Sequence, residues 1–128
     1  MPNEVKRAVR VSARLARELA LLLAREVKDP RAELVTITRV VMTDDLRSAQ
    51  VFFRLLKEGD VAEKRSEALK GLARASGLLR REVSRRAGLR YAPELRFAYD
   101  EGQDERTKIE VLLEEVKAEE RARARSRS

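Results

Sequence analysis

The 128-residue chain contains no cysteine and no histidine. Without cysteine there is neither a disulfide framework nor a thiolate metal site. Losing both residue types removes the usual zinc ligands, the thiol nucleophile and the commonest general base together. Ser76 and Ser84, the two serines near glycine, have no histidine to activate them, and neither a G-x-x-x-x-G-K-[ST] loop nor a dinucleotide fingerprint occurs. Aromatic residues make up only 4% of the chain, so Phe52, Phe53 and Phe97 are expected in the core before any role in base stacking. No apolar run approaches the roughly 20 residues that span a bilayer. The first residues begin a charged helical pattern instead of the basic-then-apolar run of a secretory signal, which makes the cytosol the expected compartment. An enzyme reading has almost nothing to stand on, and no cofactor, metal or small-molecule substrate is expected.

What the chain has in abundance is charge. Lysine and arginine number 29 against 22 acidic residues, a net charge of +7, and 40% of all residues are charged. That balance favours a polyanionic partner, without separating RNA, DNA and acidic lipid. The 43% apolar content suffices for one core, and the length suits one domain. Residues 77–91 hold Arg80, Arg81, Arg85, Arg86 and Arg90 against Glu82, a local charge of +4. Arg121, Arg123, Arg125 and Arg127 give the last eight residues another +4, so the remainder nets about −1. Charge concentrated in this way is what a binding footprint looks like, with a merely solvated helix face as the alternative.

Periodicity organises the rest. Val5, Ala8, Val9, Val11, Leu15, Leu19, Leu22 and Leu23 predict one long amphipathic helix over residues 5–27, stopped by Asp29-Pro30. Residues 34–42 are β-branched and apolar and read as a strand buried in part on both faces. Asp44 and Asp45 supply a turn, where adjacent acids read as solvent caps before a metal pair. A second strand over 49–55 places Val51, Phe53 and Leu55 on one face and Gln50, Phe52 and Arg54 on the other, and the short connection predicts an antiparallel hairpin. Glu58-Gly59-Asp60 closes it.

A helix is expected over 61–75, interrupted at Gly77, followed by a short helix through Leu78, Leu79 and Val83 that ends by Gly88. Pro93 opens a third strand in which Leu95, Phe97 and Tyr99 alternate with Glu94, Arg96 and Ala98. A last helix, with Asp104 as N-cap, runs through Ile109, Leu112, Leu113 and Val116; its narrow apolar stripe is expected to dock on the domain's edge or fray. Residues 121–128 have nothing to pack and are expected to be disordered. One mixed sheet with helices on one face would bury every stripe, predicting an α+β two-layer domain over residues 1–118 and a basic tail at 119–128. No internal repeat occurs.

Within the basic segment, Arg81 and Arg85 are four apart, as are Leu79 and Val83, so arginines face solvent while the apolar pair holds the helix to the core. A guanidinium grips phosphate oxygens two at a time. A break at Gly77 beside a helix N-terminus would also present unpaired N–H groups to an anion.

Helix, break and helix between two strands resembles the type II KH fold, where RNA crosses a glycine-containing turn between two helices. The usual G-x-x-G is replaced here by Ala75-Ser76-Gly77, a departure that resembles the ribosome-binding factor A family. The resemblance extends over roughly residues 5–113, through Lys28-Asp29-Pro30-Arg31, Thr36-Ile37-Thr38-Arg39-Val40, Asp45-Leu46 and Ala49-Gln50-Val51. It continues with Ala75-Ser76-Gly77-Leu78-Leu79-Arg80, Arg90, Pro93-Glu94-Leu95, Phe97 and Asp100, and ends at Ile109 with Leu112-Leu113.

This resemblance implies a KH-like (type II) domain that binds 16S ribosomal RNA in the immature small (30S) subunit and supports maturation of its 5′ end. The implied factor does no chemistry of its own, works in the cytoplasm, and is linked with growth in the cold; a monomer is expected. Carried onto this chain, the altered turn falls at Ala75, Ser76 and Gly77, with Arg80 and the basic helix residues Arg81, Arg85, Arg86 and Arg90 as neighbours. Lys28 and Arg31 become further candidates for RNA contact. Loss of the G-x-x-G implies recognition of shape and phosphate placement over a base code. Two other readings stay open: a general single-stranded RNA binder of KH type, and a protein-interaction domain that docks through its last helix.

Overall fold

The computed structural model describes residues 3–56, 60–102 and 105–126, with side chains over 5–56, 60–102 and 112–126. In chain order the elements are α1 (Asn3–Arg25), a 3-10 turn (Pro30–Ala32), β1 (Val35–Met42), β2 (Ser48–Leu55), α2 (Ala62–Ala87), β3 (Glu94–Tyr99) and α3 (Glu105–Ser126).

α1 forms because Ala8, Leu15, Leu19 and Leu22 recur at helical spacing, and all four are buried. Val9, expected in that stripe, falls on the outer side instead and is exposed. The helix stops before Pro30: Asp29 is extended, with φ −77° and ψ 119°, as the residue before a proline must be. Its carboxylate accepts the Arg31 backbone N–H at 2.9 Å and caps the 3-10 turn.

β1 and β2 form an antiparallel hairpin, and β3 adds in parallel to β2, giving the order β1-β2-β3. The mixed appearance of the first strand has a local cause. The register slips between Ile37 and Arg39, so Thr38 bulges. Val35 and Ile37 therefore share the inner face with Val40 and Met42, although the two pairs are out of phase in a flat strand. In the turn, Asp45 accepts from the Thr43 hydroxyl at 2.7 Å and the Arg47 backbone N–H at 3.0 Å, and these bonds hold its carboxyl below the usual range. Asp45 thus takes the capping role expected in this turn. Among the described residues no cluster of acids is placed to hold a metal.

α1 and α2 cover one face of the sheet. Leu15, Leu19 and Leu22 of α1 and Leu79 and Val83 of α2 pack on Val40, Met42, Ala49, Val51 and Leu95. Phe53, Leu55, Ala68 and Leu72 fill the other end. Each of the large buried side chains removes enough apolar surface to contribute about 1.5–3 kcal/mol. The α+β two-layer architecture expected from the sequence, KH-like in its order, is thus the one observed.

The middle of the chain differs from expectation. α2 is one uninterrupted helix of 26 residues, with no break at Gly77. A glycine inside a helix costs only about 1 kcal/mol relative to alanine. Leu72, Leu79 and Val83 on either side of it are all fully buried, and their burial outweighs that cost. The helix ends at Gly88, whose φ of 65° favours glycine and whose N–H returns to the carbonyls of Arg85 and Ser84. No helix N-terminus exists at Gly77 to bind an anion.

α3 lies against the outer sheet face. Leu112 is buried, and Arg96, pointing outward from β3, donates from Nη1 and Nη2 to the two carboxylate oxygens of Glu119 at 2.7 and 2.9 Å. The expected Asp104 cap and the Ile109 side chain lie outside the described residues. The expected disorder after residue 121 is not observed up to Ser126: the helix runs on, fully exposed, through alternating arginine and alanine, and the Ser126 hydroxyl donates to the Ala122 carbonyl at 3.0 Å. Both residue types are strong helix formers, so a solvated helix persists without a partner surface.

Candidate nucleic-acid interface

The chain leaving α1 crosses the middle of α2 at close range. Gly71 makes this possible, since a Cβ there would stand 3.0 Å from Arg31 Cβ and 3.4 Å from the Ala32 nitrogen. The crossing leaves a cavity of about 480 Å³, lined by Val27, Lys28, Arg31, Gly71, Arg74 and Ala75 among others. Two sequence candidates far apart in the chain, the segment after the first helix and Ala75 of the Ala75-Ser76-Gly77 stretch, therefore meet.

Lys28 is exposed and, among the described residues, makes no hydrogen bond or ion pair. Arg31 is differently placed. Its Nε donates to both carboxylate oxygens of Asp29, at 3.0 and 3.3 Å, and Nη2 donates to Oδ2 at 2.7 Å. These bonds, with the Arg31 backbone N–H, pull the Asp29 carboxyl down to about 2 and raise the guanidinium further. Arg31 therefore shapes the turn first, and only the edge of its fork not bonded to Asp29 is left for an anion.

Along α2 the predicted arginines divide by helical phase. Arg81 is exposed with no hydrogen bond or ion pair among the described residues. Arg85 pairs with Glu82 at 2.6 Å yet is 72% exposed, a pairing that costs little to rearrange. Arg80 points the other way, its Nε donating to the Pro93 carbonyl at 3.0 Å and its Nη2 to that of Ala92 at 3.3 Å. Arg86 is half-buried between the helices, 3.7 Å from Glu18 and 3.9 Å from Glu82. Ala75 and Ser76 are half-buried, Gly77 is exposed, and an added Cβ at Gly77 would meet nothing within 4 Å. Arg90 belongs to the loop after α2 and has its guanidinium 5.5 Å from the Tyr91 ring.

Three groups of residues are added by the structure. Lys70 and Arg74 precede Gly77 at the spacings that carry on to Arg81 and Arg85, so positions 70, 74, 77, 81 and 85 form one exposed stripe with glycine at its centre. A basic window that begins at a break cuts this stripe in two, although a step of three from Arg74 to Gly77 between steps of four recovers it. α1 contributes as well, with six basic residues against two acids. Arg14 reaches across to the Arg86 carbonyl at 2.9 Å, with Arg10 and Arg17 exposed on the same side of the helix. The third group surrounds Tyr91, the exposed aromatic in the loop after α2.

A basic helix pair backed by a three-stranded sheet, with a glycine left open in the middle of a cationic stripe, defines a KH-like domain with a strongly cationic face. The family model for ribosome-binding factor A matches residues 7–113. The ribosome-binding factor A of Sorangium cellulosum is 50% identical over 117 residues, covering 91% of this chain and 94% of that protein. That of Syntrophobacter fumaroxidans is 50% identical over 113 residues, 88% of this chain and 96% of the relative. The chain belongs to the ribosome-binding factor A family.

Solved structures agree. The crystal structure of ribosome-binding factor A from Thermus thermophilus superposes with a TM-score of 0.61 at 28% identity, covering 72% of this chain and 94% of that one. A homology model of the Thermus thermophilus protein, as fitted into a cryo-EM map of its 30S complex, superposes with a TM-score of 0.57 at 28% identity, over 72% and 93%.

Proposed function

We propose that this protein is an assembly factor of the small ribosomal subunit. It docks on 16S ribosomal RNA in the immature 30S particle, holds one RNA conformation while the 5′ end matures, and performs no chemistry itself. The observation that carries this reading is the stripe of Lys70, Arg74, Arg81 and Arg85 around the open backbone at Gly77, beside the unpaired Lys28. Guanidinium groups spaced along a rigid helix suit phosphates held at fixed positions in a folded RNA. The missing side chain at Gly77 lets a sugar-phosphate backbone approach between them. Membership of the family, and the 30S complex named for the Thermus thermophilus relative, support the choice of the small subunit over other polyanions. Action in the cytoplasm, as a monomer, and a contribution to growth in the cold belong to the same reading.

Sedimentation of the protein with purified small subunits across a salt series tests it. Each phosphate neutralised contributes about −0.7 to −0.9 to the slope of log affinity against log salt. Replacing Lys28, Arg74 and Arg81 by alanine is expected to flatten that slope by about 2 to 3. A wild-type protein that never travels with small subunits, or a triple variant with an unchanged slope, refutes the assignment. Equal binding to unrelated single-stranded RNA would point to a general binder instead.

A further inference from the structure

Of the five aromatic side chains, four are buried or half-buried, and only Tyr91 stands in solvent, at 52% exposure. It sits between two cations: the Arg47 guanidinium lies 4.7 Å from its ring centre and that of Arg90 lies 5.5 Å away. The loop that carries it is held on both sides of the tyrosine. Gly88 and Leu89 donate their N–H groups back to the end of α2, Arg80 grips the Ala92 and Pro93 carbonyls, Pro93 is fully buried, and the Glu94 N–H donates to the Arg47 carbonyl at 2.8 Å. An exposed aromatic on a loop this constrained is ordered before any ligand arrives.

Asp45 interacts electrostatically with Arg47 without pairing its guanidinium. Asp45 accepts the Arg47 backbone N–H and the Thr43 hydroxyl. Glu94 faces Arg96 at 3.4 Å. Among the described residues neither the Arg47 nor the Arg90 guanidinium has a carboxylate within ion-pair distance.

We infer that Tyr91, Arg47 and Arg90 form a stacking subsite for one unpaired nucleobase, with the two guanidinium groups taking its flanking phosphates. The ligand class is single-stranded RNA or an unpaired residue in a folded RNA, because a base inside a duplex has no free face to offer. Arg90, the more loosely placed cation, moves onto phosphate as the base covers the ring. The subsite stands beyond the C-terminal end of α2, a helix run of about 20 Å from Arg74, so it adds a base contact at one end of a surface that otherwise reads phosphate. This inference rests on the RNA-binding reading above.

The chain has no tryptophan, so Tyr91→Trp installs a single reporter that preserves stacking. A twelve-residue single-stranded oligoadenylate is expected to quench its fluorescence, and a blunt RNA duplex of equal length is not. Tyr91→Leu is expected to weaken oligoadenylate binding by about 5- to 150-fold, as for loss of one stacked base, while Tyr91→Phe binds within about twofold of wild type. Arg47→Ala with Arg90→Ala gives an independent loss if either aromatic variant folds poorly. Failure of wild type to bind the oligoadenylate, binding without quenching, or equal affinity of the Leu variant overturns the subsite. Cosedimentation of wild type with small subunits is scored in parallel, and its failure alone bears on the assembly-factor reading.

Discussion

Gly77→Ala separates two pictures of the central segment. If the chain broke at Gly77, as the sequence pattern suggests, the glycine would serve a turn, and alanine forced into a left-handed conformation would destabilise the protein by about 1 kcal/mol or more. In the structure Gly77 is an ordinary helical residue with open space where its Cβ would be. Alanine there removes glycine's excess backbone entropy and should stabilise the fold by about 0.4–1 kcal/mol. For a chain of this length that is a rise of roughly 2–5 °C in the midpoint of thermal unfolding, followed by circular dichroism at 222 nm. The methyl group also projects into the gap between Arg74 and Arg81, where the proposed function puts the RNA backbone. The same variant should therefore bind small subunits more weakly while being more stable. A lowered midpoint refutes the continuous helix. Unchanged binding refutes close backbone approach at this position.

Other substitutions probe the supports of the site. Gly71→Ala drives a methyl group against Arg31 Cβ and the Ala32 backbone, and overpacking of this kind should cost about 1–3 kcal/mol, read from the midpoint of urea unfolding. Arg80→Ala should lower stability by about 1–2 kcal/mol through loss of two carbonyl contacts, leaving the salt dependence of RNA binding unchanged, whereas Arg81→Ala should change the salt dependence and leave stability alone. Asp29 has its carboxyl held at about 2 by Arg31, below its unfolded value, so its contribution is fully present above pH 4 and disappears as the pH falls toward 2. Acid unfolding of Asp29→Asn should accordingly show a shallower loss of stability across that window than wild type, and parallel curves would refute the pairing.

The elements were legible wherever burial followed a simple period. Leu15, Leu19 and Leu22 announce α1, and Leu95, Phe97 and Tyr99 announce β3, because one face of each meets the core. Gly77 marks a break in the sequence pattern but not in the helix, because local propensity is a term of about 1 kcal/mol, smaller than the burial of Leu72, Leu79 and Val83 around it. Gly88, where the sequence also ends a helix, is the terminator, with a positive φ that Gly77 does not share. The β1 pattern was ambiguous because a bulge at Thr38 changes which residues face inward, and a bulge carries no composition of its own.

The layout of the candidate site was legible in part. Lys28 and the Ala75-Ser76-Gly77 stretch could be named from sequence order, and Arg81 and Arg85 from their spacing. Arg80 and Arg86 could not be told from them, since adjacent arginines on a helix point about 100° apart and only the packing decides which reach solvent. Composition by itself determined that this chain has no thiol or imidazole chemistry and carries its positive charge in excess. Residue order determined its family. The tertiary structure alone decided which cations are spent on carbonyls and carboxylates, brought Lys28 to Arg74 across a glycine, and left Tyr91 in solvent between two arginines, because partnership and exposure depend on contacts between segments far apart in the chain.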